Sequence, residues 1–386
     1  MRLLHTSDWH LGRSLHRADL RDAQAGFLDA LVETCRSERV DAVLVAGDVY
    51  DRAVPSLDAV QLCEEGLVRL RETGARVVVI SGNHDSARRL GFGSRLVDAA
   101  GVHLRTDVAR CVDPIVLTDE HGDVAVYAIP YLEPDAVRDR LPAVPGDVAA
   151  EPGPGHGQAE VLTRAMAAVH QDRTGRAARS VVLAHAWVGH GLGCDSERDI
   201  GGVGGVPAAV FDGVTYTALG HLHGPQVLAE GLRYSGSPLA YSFSEAAHRK
   251  GSWLVELGPA GLGAVTHMPS PSCRALASLT GTLDDLLTSR AHDVVAECYL
   301  QVTLTDRARP DDAMSRLSRR FPHILVLAWQ PTDGSQDPRS YRARVTGRSD
   351  LQVAASFVEH VRRTPQTDAE QQLFAQAFAA GRTDAA

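Results

Sequence analysis

The chain has 386 residues and a formal net charge of −9, with 44% hydrophobic and 23% charged residues. Its length predicts two or three domains, and its net charge argues against the global basic field that is typical of a stand-alone nucleic-acid-binding protein. The first apolar run begins directly after Met1-Arg2, and no run approaches the ~20 apolar residues of a membrane span. We therefore expect a cytoplasmic protein that does not insert into a membrane.

The first part of the chain predicts alternating strands and helices, which is typical of an α/β fold with a parallel sheet. Apolar, β-branched runs predict the strands, and amphipathic segments predict the helices between them. The predicted strands lie at 2–7, 41–46 and 75–81, and the predicted helices at 21–37, 56–73 and 86–99. Further along, strands are predicted at 111–117 and 124–130, a helix at 158–170, and a strand-rich region at 214–257.

Proline-rich segments divide the rest of the chain. Residues 133–157 contain five prolines and several glycines, which predicts a loop or flexible insertion. A second cluster of prolines and serines, at 262–275, predicts a domain boundary. We therefore expect a first domain at 1–262, a second at 272–345 and a C-terminal helix pair at 349–380.

The second predicted domain is a small β-α-β unit. Strands are predicted at 297–304 and 324–329, with a helix at 310–321 between them. The C-terminal pair is predicted as helices at 349–362 and 367–380, separated by Thr-Pro-Gln. The apolar stripe of the second helix would either fold back on the β-α-β unit or bind a partner.

Five apolar runs each lead directly into residues that can bind a metal ion. The runs predict buried strands, and donors just past the C-terminal ends of neighbouring strands would converge on one edge of a sheet. Open α/β sheets bind their substrates at such an edge. The donors that follow the five runs are Asp8 and His10, Asp48, Asn83, His185, and His221 with His223.

This set of side chains favours hydrolysis of a phosphate ester at two divalent metal ions. Carboxylate, imidazole and amide groups suit such ions, which activate water and stabilise negative charge. Asp48 could bridge the two ions, and the rings of His221 and His223 would point to the same side of an extended segment. His84 could donate a proton to the leaving group, with Asp85 orienting its ring.

A glycine-rich segment at 201–205 resembles a phosphate-binding loop only superficially. It lacks the Lys-Ser/Thr pair of such a loop, and Pro207 follows it instead of a clean helix start. We expect a mobile active-site loop here and not a nucleotide site.

In this order, the motifs resemble those of the calcineurin-like metallophosphoesterase superfamily: Asp-x-His, Gly-Asp-x-x-Asp-Arg, Gly-Asn-His-Asp, a single His and Gly-His-x-His. The segments at 4–13, 81–86, 234–238 and 242–245 narrow the resemblance to the SbcD family of bacterial nuclease subunits. The resemblance covers residues 1–257 and extends through the β-α-β unit to the terminal helices.

The resemblance implies an α/β fold of the α+β sandwich type. It comprises a calcineurin-like metallophosphoesterase domain, a β-α-β capping domain that contacts DNA, and a C-terminal helical pair. It also implies two divalent ions, expected to be manganese, and a transition-state role for His84, whereas Asp51 receives no role. One ion would be held by Asp8, His10, Asp48 and His223, and the other by Asp48, Asn83, His185 and His221.

The implied activity is that of a DNA nuclease in repair, recombination and replication. Members of the family act as 3′→5′ exonucleases on double-stranded DNA and as endonucleases on single strands and hairpins. The implied partners are DNA, a second copy of the chain, and an SbcC-type ATPase whose coiled coils the C-terminal helices grip, giving a heterotetramer. The protein would be cytoplasmic and associated with the nucleoid when engaged on DNA.

Two other functions are compatible with the motifs. The metal-binding residues alone suit a small-molecule or cyclic-nucleotide phosphodiesterase of the same superfamily. A non-catalytic scaffold for SbcC and DNA is the third hypothesis, although a scaffold need not retain every metal-binding side chain. The large C-terminal region and the flanking segments favour the nuclease.

Overall fold

Two six-stranded sheets face each other in the first part of the chain, as described by a computed structural model. The structure describes residues 1–141, 157–176, 179–197, 205–271, 274–332, 348–362 and 364–383. The chain divides into two compact units, Met1–Cys273 and Arg274–Ala386, and both large sheets belong to the first.

The strands and helices of the first unit alternate as predicted from β1 to β3, and β4 is a further strand that sequence reasoning missed. In chain order they are β1 (Arg2–Thr6), α1 (Arg21–Ser37), β2 (Ala42–Ala46), α2 (Leu57–Glu72), β3 (Arg76–Ile80), α3 (Ala87–Leu90), α4 (Ser94–Asp98), β4 (Val102–Arg105), β5 (Ile115–Asp119), β6 (Gly122–Ile129), α5 (Pro134–Val137), α6 (Gln158–Thr174), β7 (Arg179–His185), β8 (Tyr216–Gly220), β9 (Gln226–Ala229), β10 (Leu232–Tyr234), β11 (Gly251–Gly258) and β12 (Gly261–Pro269).

Each sheet contains four neighbouring parallel strands, and antiparallel strands flank them on one side in the first sheet and on both sides in the second. The first sheet has the order β12-β11-β1-β2-β3-β4, in which β1 to β4 run parallel. The second has the order β5-β6-β7-β8-β10-β9, in which β6, β7, β8 and β10 run parallel. The carboxyl ends of the parallel strands within each sheet therefore lie at one edge of that sheet.

Apolar side chains fill three layers of the first unit. Leu44 and Val78 of the first sheet pack with Val181 and Leu183 of the second, which closes the space between the sheets. Helices α1 and α2 cover the outer face of the first sheet, and α6 covers that of the second. Because both faces of each central strand are buried, those strands are continuous apolar runs. The predicted α/β sandwich is confirmed.

The structure corrects two predicted elements. The helix predicted at 86–99 is two short helices, α3 and α4, because Gly91 ends the first and Gly93 adopts a φ of 73° between them. The strand predicted at 111–117 begins only at Ile115, directly after Pro114, since proline lacks the N–H that a strand ladder uses.

The prediction that all donors lie at one edge of a single sheet is wrong. Strands β1, β2 and β3 belong to the first sheet, whereas β7 and β8 belong to the second. The donors instead meet where the corresponding ends of two stacked sheets face each other. A buried strand has the same apolar pattern in either sheet, so the sequence did not separate them.

The second unit contains a three-stranded parallel sheet followed by two helices. Sequence reasoning missed its first strand and first helix, which make it larger than the predicted β-α-β unit. Its elements are β13 (Leu276–Gly281), α7 (Leu283–Thr288), β14 (Tyr299–Leu304), α8 (Ala313–Ser318), β15 (Ile324–Trp329), α9 (Asp350–Arg362) and α10 (Asp368–Thr383), and the sheet order is β13-β14-β15.

The helices α9 and α10 pack against each other, and Arg362 and Glu370 form an ion pair of 2.5 Å between them. Within the part of the chain that the structure describes, no helix is long and apolar enough to cross a bilayer. Most of the predicted insertion at 133–157 lies outside the described residues, as does most of the glycine-rich segment at 201–205.

Candidate metal centre

All seven predicted metal-binding residues come together at the carboxyl ends of five strands. Six of them are buried, and Asn83 is half-buried. Those from the first sheet follow β1, β2 and β3, and those from the second end β7 or follow β8. The residues are Asp8, His10, Asp48, Asn83, His185, His221 and His223.

Backbone strain is concentrated in these loops. Asp8, His10, Asp48 and His221 adopt positive φ values of 52°, 45°, 48° and 104°, a region that residues with a Cβ rarely occupy. Hydrogen bonds between the loops hold them there: the N–H of Asp8 donates to the Gly47 carbonyl at 3.0 Å, and that of His10 to the Asp48 carbonyl at 3.0 Å. Strain of this kind persists where the surroundings impose it, which is typical of functional sites.

Two glycines leave room for the donor side chains. A Cβ at Gly82 would lie 2.1 Å from Asp48 Oδ1, and a Cβ at Gly47 would lie 2.3 Å from His185 Nδ1. Gly47 also has a φ of 92°. The Gly-Asp and Gly-Asn-His motifs therefore need glycine because a side chain would occupy the space of Asp48 or His185.

The first group of donors consists of Asp8, His10 and His223, whose donor atoms all lie within 4.8 Å of one another. His10 Nε2 and His223 Nε2 face each other at 3.1 Å. Asp48 Oδ2 lies 3.6 Å from the same nitrogen of His10. Buried imidazole nitrogens that face each other beside carboxylates form a donor set that suits a divalent cation.

The second group surrounds Asn83. Its Oδ1 lies 2.9 Å from His185 Nε2 and 3.2 Å from His221 Nδ1. Asp48 Oδ2 lies 3.5 Å from His185 Nε2, so Asp48 contacts both groups. The set of two carboxylates, four imidazoles and one amide could therefore hold two divalent ions with Asp48 between them.

The charges of these groups favour a cation. Burial lowers the pKa of His10 well below its usual value and that of His221 to about 3, so both rings are neutral, the form that binds a metal. Burial raises the pKa of Asp8 to about 6. Burial opposes the charge on both Asp48 and His185, but their mutual attraction outweighs it, which holds the pKa of Asp48 low and raises that of His185 to about 9.

Neighbouring groups fix the orientation of several donors. His185 Nδ1 donates a hydrogen bond to the Ala46 carbonyl at 2.9 Å, which leaves Nε2 as the ring nitrogen that could bind a metal ion. Ser7 Oγ donates to Asp8 Oδ2 at 2.5 Å and lies 2.7 Å from Ser235 Oγ. The backbone N–H of His221 donates to Asp8 Oδ1 at 3.0 Å, so this carboxylate links the two sheets.

His84 lies beside the donors, but Asp85 does not orient its ring, so that prediction is wrong. The Asp85 carboxylate accepts the backbone N–H groups of Gly82, Val49 and Tyr50, at 2.9, 3.1 and 2.9 Å. It therefore joins the loops after β2 and β3. His84 Nδ1 donates instead to a backbone carbonyl, that of the residue three positions after Asp48, at 2.8 Å.

That residue is Asp51, to which sequence reasoning gave no role. Its carbonyl orients His84, and its carboxylate Oδ1 lies 3.8 Å from His10 Nδ1 and 3.6 Å from Arg13 Nε. The position was visible in the Gly-Asp-x-x-Asp-Arg motif. The use of its backbone carbonyl was not, because any residue supplies one.

Comparison with known proteins matches both units of the chain. A family model described as calcineurin-like phosphoesterase matches residues 1–225. A second model, SbcD_C, described as the type 5 capsule protein repressor C-terminal domain, matches residues 272–362.

Two solved structures are also similar to this chain. A dimetal phosphatase from Danio rerio has 14% identity and a TM-score of 0.41, covering 70% of this chain and 99% of its own. GAP50, the anchor in the inner membrane complex of Plasmodium, has 11% identity and a TM-score of 0.40, covering 86% of this chain and 98% of its own.

Proposed function

This chain belongs to the calcineurin-like phosphoesterase family, and from that premise we propose that it is a metal-dependent DNA nuclease of the SbcD type. The observation that carries the proposal is the meeting of seven buried or half-buried donor groups around Asp48, in a chain whose second unit matches the SbcD_C model. The proposed activity is 3′→5′ exonuclease action on double-stranded DNA and endonuclease action on single strands and hairpins, in repair, recombination and replication.

We assign one ion to Asp8, His10, Asp48 and His223, and the other to Asp48, Asn83, His185 and His221. Manganese is the proposed ion because of the resemblance to the SbcD family, and mixed carboxylate, imidazole and amide sites accept Mn²⁺ among other divalent ions. Two such ions, when bound, supply an activated water and charge stabilisation at the phosphate.

The remaining chemistry belongs to His84. Its Nδ1–H is held by the Asp51 carbonyl, so a protonated ring carries its second, transferable proton on Nε2. We propose that this proton passes to the oxygen that leaves the phosphate, since a leaving alkoxide needs one. The ring lies edge-on to that of His10, with centroids 4.8 Å apart, which places it beside the donor groups.

Basic side chains of the second unit support DNA as the substrate. Arg316, Arg319 and Arg320, with Leu287, line a cavity of about 490 Å³ in that unit. Arg316 and Arg319 are exposed. Arginines that reach phosphates supply the sequence-independent part of DNA affinity, which suits a domain that contacts the DNA backbone. The acidic balance of the whole chain is compatible with this local basic surface.

Exposed apolar side chains support the proposed protein partners. Phe357, Val361 and Leu373 are exposed on α9 and α10, and we propose that these helices bind the coiled coil of an SbcC-type ATPase. A second apolar surface, at α2 to α4, is proposed to join two copies of the chain. The assembly would be a heterotetramer in the cytoplasm, associated with the nucleoid when engaged on DNA.

The decisive experiment offers the purified full-length chain, with Mn²⁺, a labelled hairpin duplex and bis-p-nitrophenyl phosphate. Both substrates are tested with and without an SbcC-type ATPase and ATP. We expect cleavage of both substrates, with DNA cleavage increased by the partner. Cleavage of the small ester alone under every condition would contradict the nuclease and favour a small-molecule phosphodiesterase. Cleavage of neither would favour the scaffold.

A further inference from the structure

Buried and half-buried polar groups hold His223 at its backbone N–H, its backbone carbonyl and its ring. Its N–H donates to Glu197 Oε1 at 2.5 Å, and its carbonyl accepts from Lys250 Nζ at 2.8 Å. Its ring Nδ1 lies 2.7 Å from Ser196 Oγ and 3.4 Å from Glu245 Oε1. His223 is itself 1% exposed, so none of these contacts is exchanged freely with water.

The contacts of the ring define its tautomer. The hydroxyl of Ser196 donates to Glu245 Oε1, because an ionised carboxylate can only accept. The lone pairs of Ser196 Oγ are then free to accept the Nδ1–H of His223. The ring therefore carries its proton on Nδ1, and its Nε2 lone pair points toward His10 Nε2, 3.1 Å away.

The ammonium group of Lys250 balances the charge of the buried Glu245 carboxylate. Glu245 is 1% exposed, and a buried carboxylate without partners would be strongly destabilising. Lys250 Nζ pairs with its Oε2 and also donates to Ser237 Oγ at 2.8 Å. The backbone N–H of Tyr241 donates to its Oε1 at 3.2 Å. The ammonium that neutralises Glu245 is thus the same one that holds the His223 carbonyl.

The other oriented histidine of the centre is held differently. His185 donates its Nδ1–H to a neutral backbone carbonyl, that of Ala46. When a carboxylate acts on the N–H of an imidazole, the other ring nitrogen becomes a stronger metal ligand. A neutral carbonyl in the same place has a smaller effect. The two proposed metal positions should therefore differ in affinity, and the difference should depend on Glu245.

We propose that Glu245, acting through Ser196, is a positioning residue that fixes His223 in the tautomer that presents Nε2 to the metal ion of the first group. Lys250 completes the arrangement, because its ammonium pairs with Glu245 and also donates to the His223 carbonyl. The inference rests on the proposed metal centre but not on DNA as the substrate. It identifies a function for a glutamate 22 residues beyond His223, outside every metal-binding motif.

The test measures Mn²⁺ binding to the full chain by isothermal titration calorimetry, and thermal unfolding in EDTA as a measure of the metal-free fold. The variants are Glu245→Gln and Ser196→Ala, with Glu230→Gln as an exposed control. We expect the wild type and the control to bind two ions. In Glu245→Gln and Ser196→Ala we expect one ion to bind about 10- to 100-fold more weakly and the other unchanged. The unfolding temperature of Ser196→Ala in EDTA should stay close to that of the wild type. This variant therefore still tests the proposal if Glu245→Gln folds poorly.

Unchanged affinity for both ions in a folded Ser196→Ala variant would overturn the proposal. An equal loss at both positions, together with a lower unfolding temperature in EDTA, would also overturn it, because the residues would then be structural only. A wild type that binds no ion would refute the metal centre and this inference together. A wild type that binds two ions but does not cleave DNA would refute the nuclease and leave the role of Glu245 intact.

Discussion

Asp48 Oδ2 lies 3.5 Å from His185 Nε2, although Asp48 follows a strand of the first sheet and His185 ends a strand of the second. Both residues are buried, and the attraction between them crosses the boundary between the sheets. The candidate metal centre is therefore also a place where the two halves of the sandwich are joined. Ions bound there should affect the stability of the fold as well as its chemistry.

We predict that Mn²⁺ stabilises the first unit and that Asp48→Asn removes most of this effect. A ligand at 100 times its dissociation constant stabilises the folded state by about 2.7 kcal/mol per site. Asp48 contacts both donor groups, so its replacement should remove most of that gain. Thermal unfolding with Mn²⁺ and with EDTA measures the difference. Asp22→Asn, at an exposed position of α1, should behave like the wild type. A variant at Asp48 that retains the full metal-dependent shift would contradict the assignment of Asp48 to both ions.

A second prediction separates His84 from the metal-binding residues. Its Nδ1 is engaged with a backbone carbonyl, and we assign it to proton transfer. His84→Ala should therefore bind two Mn²⁺ ions as the wild type does and lose about 10²- to 10⁴-fold in the cleavage rate. Calorimetry and single-turnover cleavage give the two values, and His121→Ala in the turn between β5 and β6 is the control. Loss of an ion in His84→Ala would show that His84 is a ligand.

The sequence predicted which side chains would come together because the candidates are marked by side-chain type and by position after apolar runs. Asp48 after β2 and His185 at the end of β7 are examples. It could not predict that these residues approach from two sheets, since apolar runs of the same kind form the strands of both. The split of the helix at 86–99 was readable in principle, because Gly91 and Gly93 are helix-ending residues.

Other parts of the site had weak or no sequence signals. The carbonyl of Asp51 orients His84 through a group that every residue possesses. Glu245 reaches His223 through Ser196, which lies about 50 positions before it, and only folding brings the three together. Asp85 was assigned to its sequence neighbour, whereas its carboxylate accepts three backbone N–H groups from two loops.

We also predict that His5 makes the first unit sensitive to acid. Its ring is buried between the sheets, where Nε2–H donates to the Leu219 carbonyl at 3.1 Å and Nδ1 accepts from the Tyr216 hydroxyl at 2.9 Å. Burial lowers its pKa from 6.5 to about 3. Below about pH 6.5 the His5 imidazole therefore binds a proton in the unfolded chain but stays neutral in the folded chain. As a result, the free energy of unfolding falls by roughly 1.4 kcal/mol between pH 7.5 and 5.5.

Urea denaturation in EDTA across this pH range measures the effect. His5→Gln, whose neutral amide can occupy both hydrogen bonds, should have a flatter pH dependence than the wild type by about that amount. His121→Gln, at an exposed position, should keep the wild-type slope. Equal slopes for His5→Gln and the wild type would assign the acid sensitivity to other groups.

A fourth prediction distinguishes DNA from a small ester. Arg316 and Arg319 are exposed in the second unit, so replacing both with Ala should weaken phosphate-backbone contacts without disturbing a core. DNA cleavage should fall several-fold at 150 mM salt and lose part of its salt dependence, while hydrolysis of bis-p-nitrophenyl phosphate stays constant. The control replaces Arg36 and Arg76 with Ala, which removes the same charge from the first unit. These two arginines line a cavity beside the amino-terminal ends of strands of the first sheet. A parallel fall of both activities would place the arginines in a structural role.

The last prediction concerns the surface at α2 to α4. Phe92 and Leu96 are 88% and 83% exposed, and Leu57 at the start of α2 is 87% exposed. Arg89 donates to the Ala53 carbonyl at 3.0 Å, which holds the segment before α2 beside α3. Apolar side chains so exposed on neighbouring segments are typical of a protein interface, and we expect a homodimer.

Phe92→Glu with Leu96→Glu should yield a monomer in light scattering after size exclusion, with two Mn²⁺ ions still bound. Val116→Glu, a half-exposed position of β5, should remain dimeric. A double variant that stays dimeric would show that the copies meet elsewhere, and a wild type that is monomeric at every concentration would refute the homodimer itself.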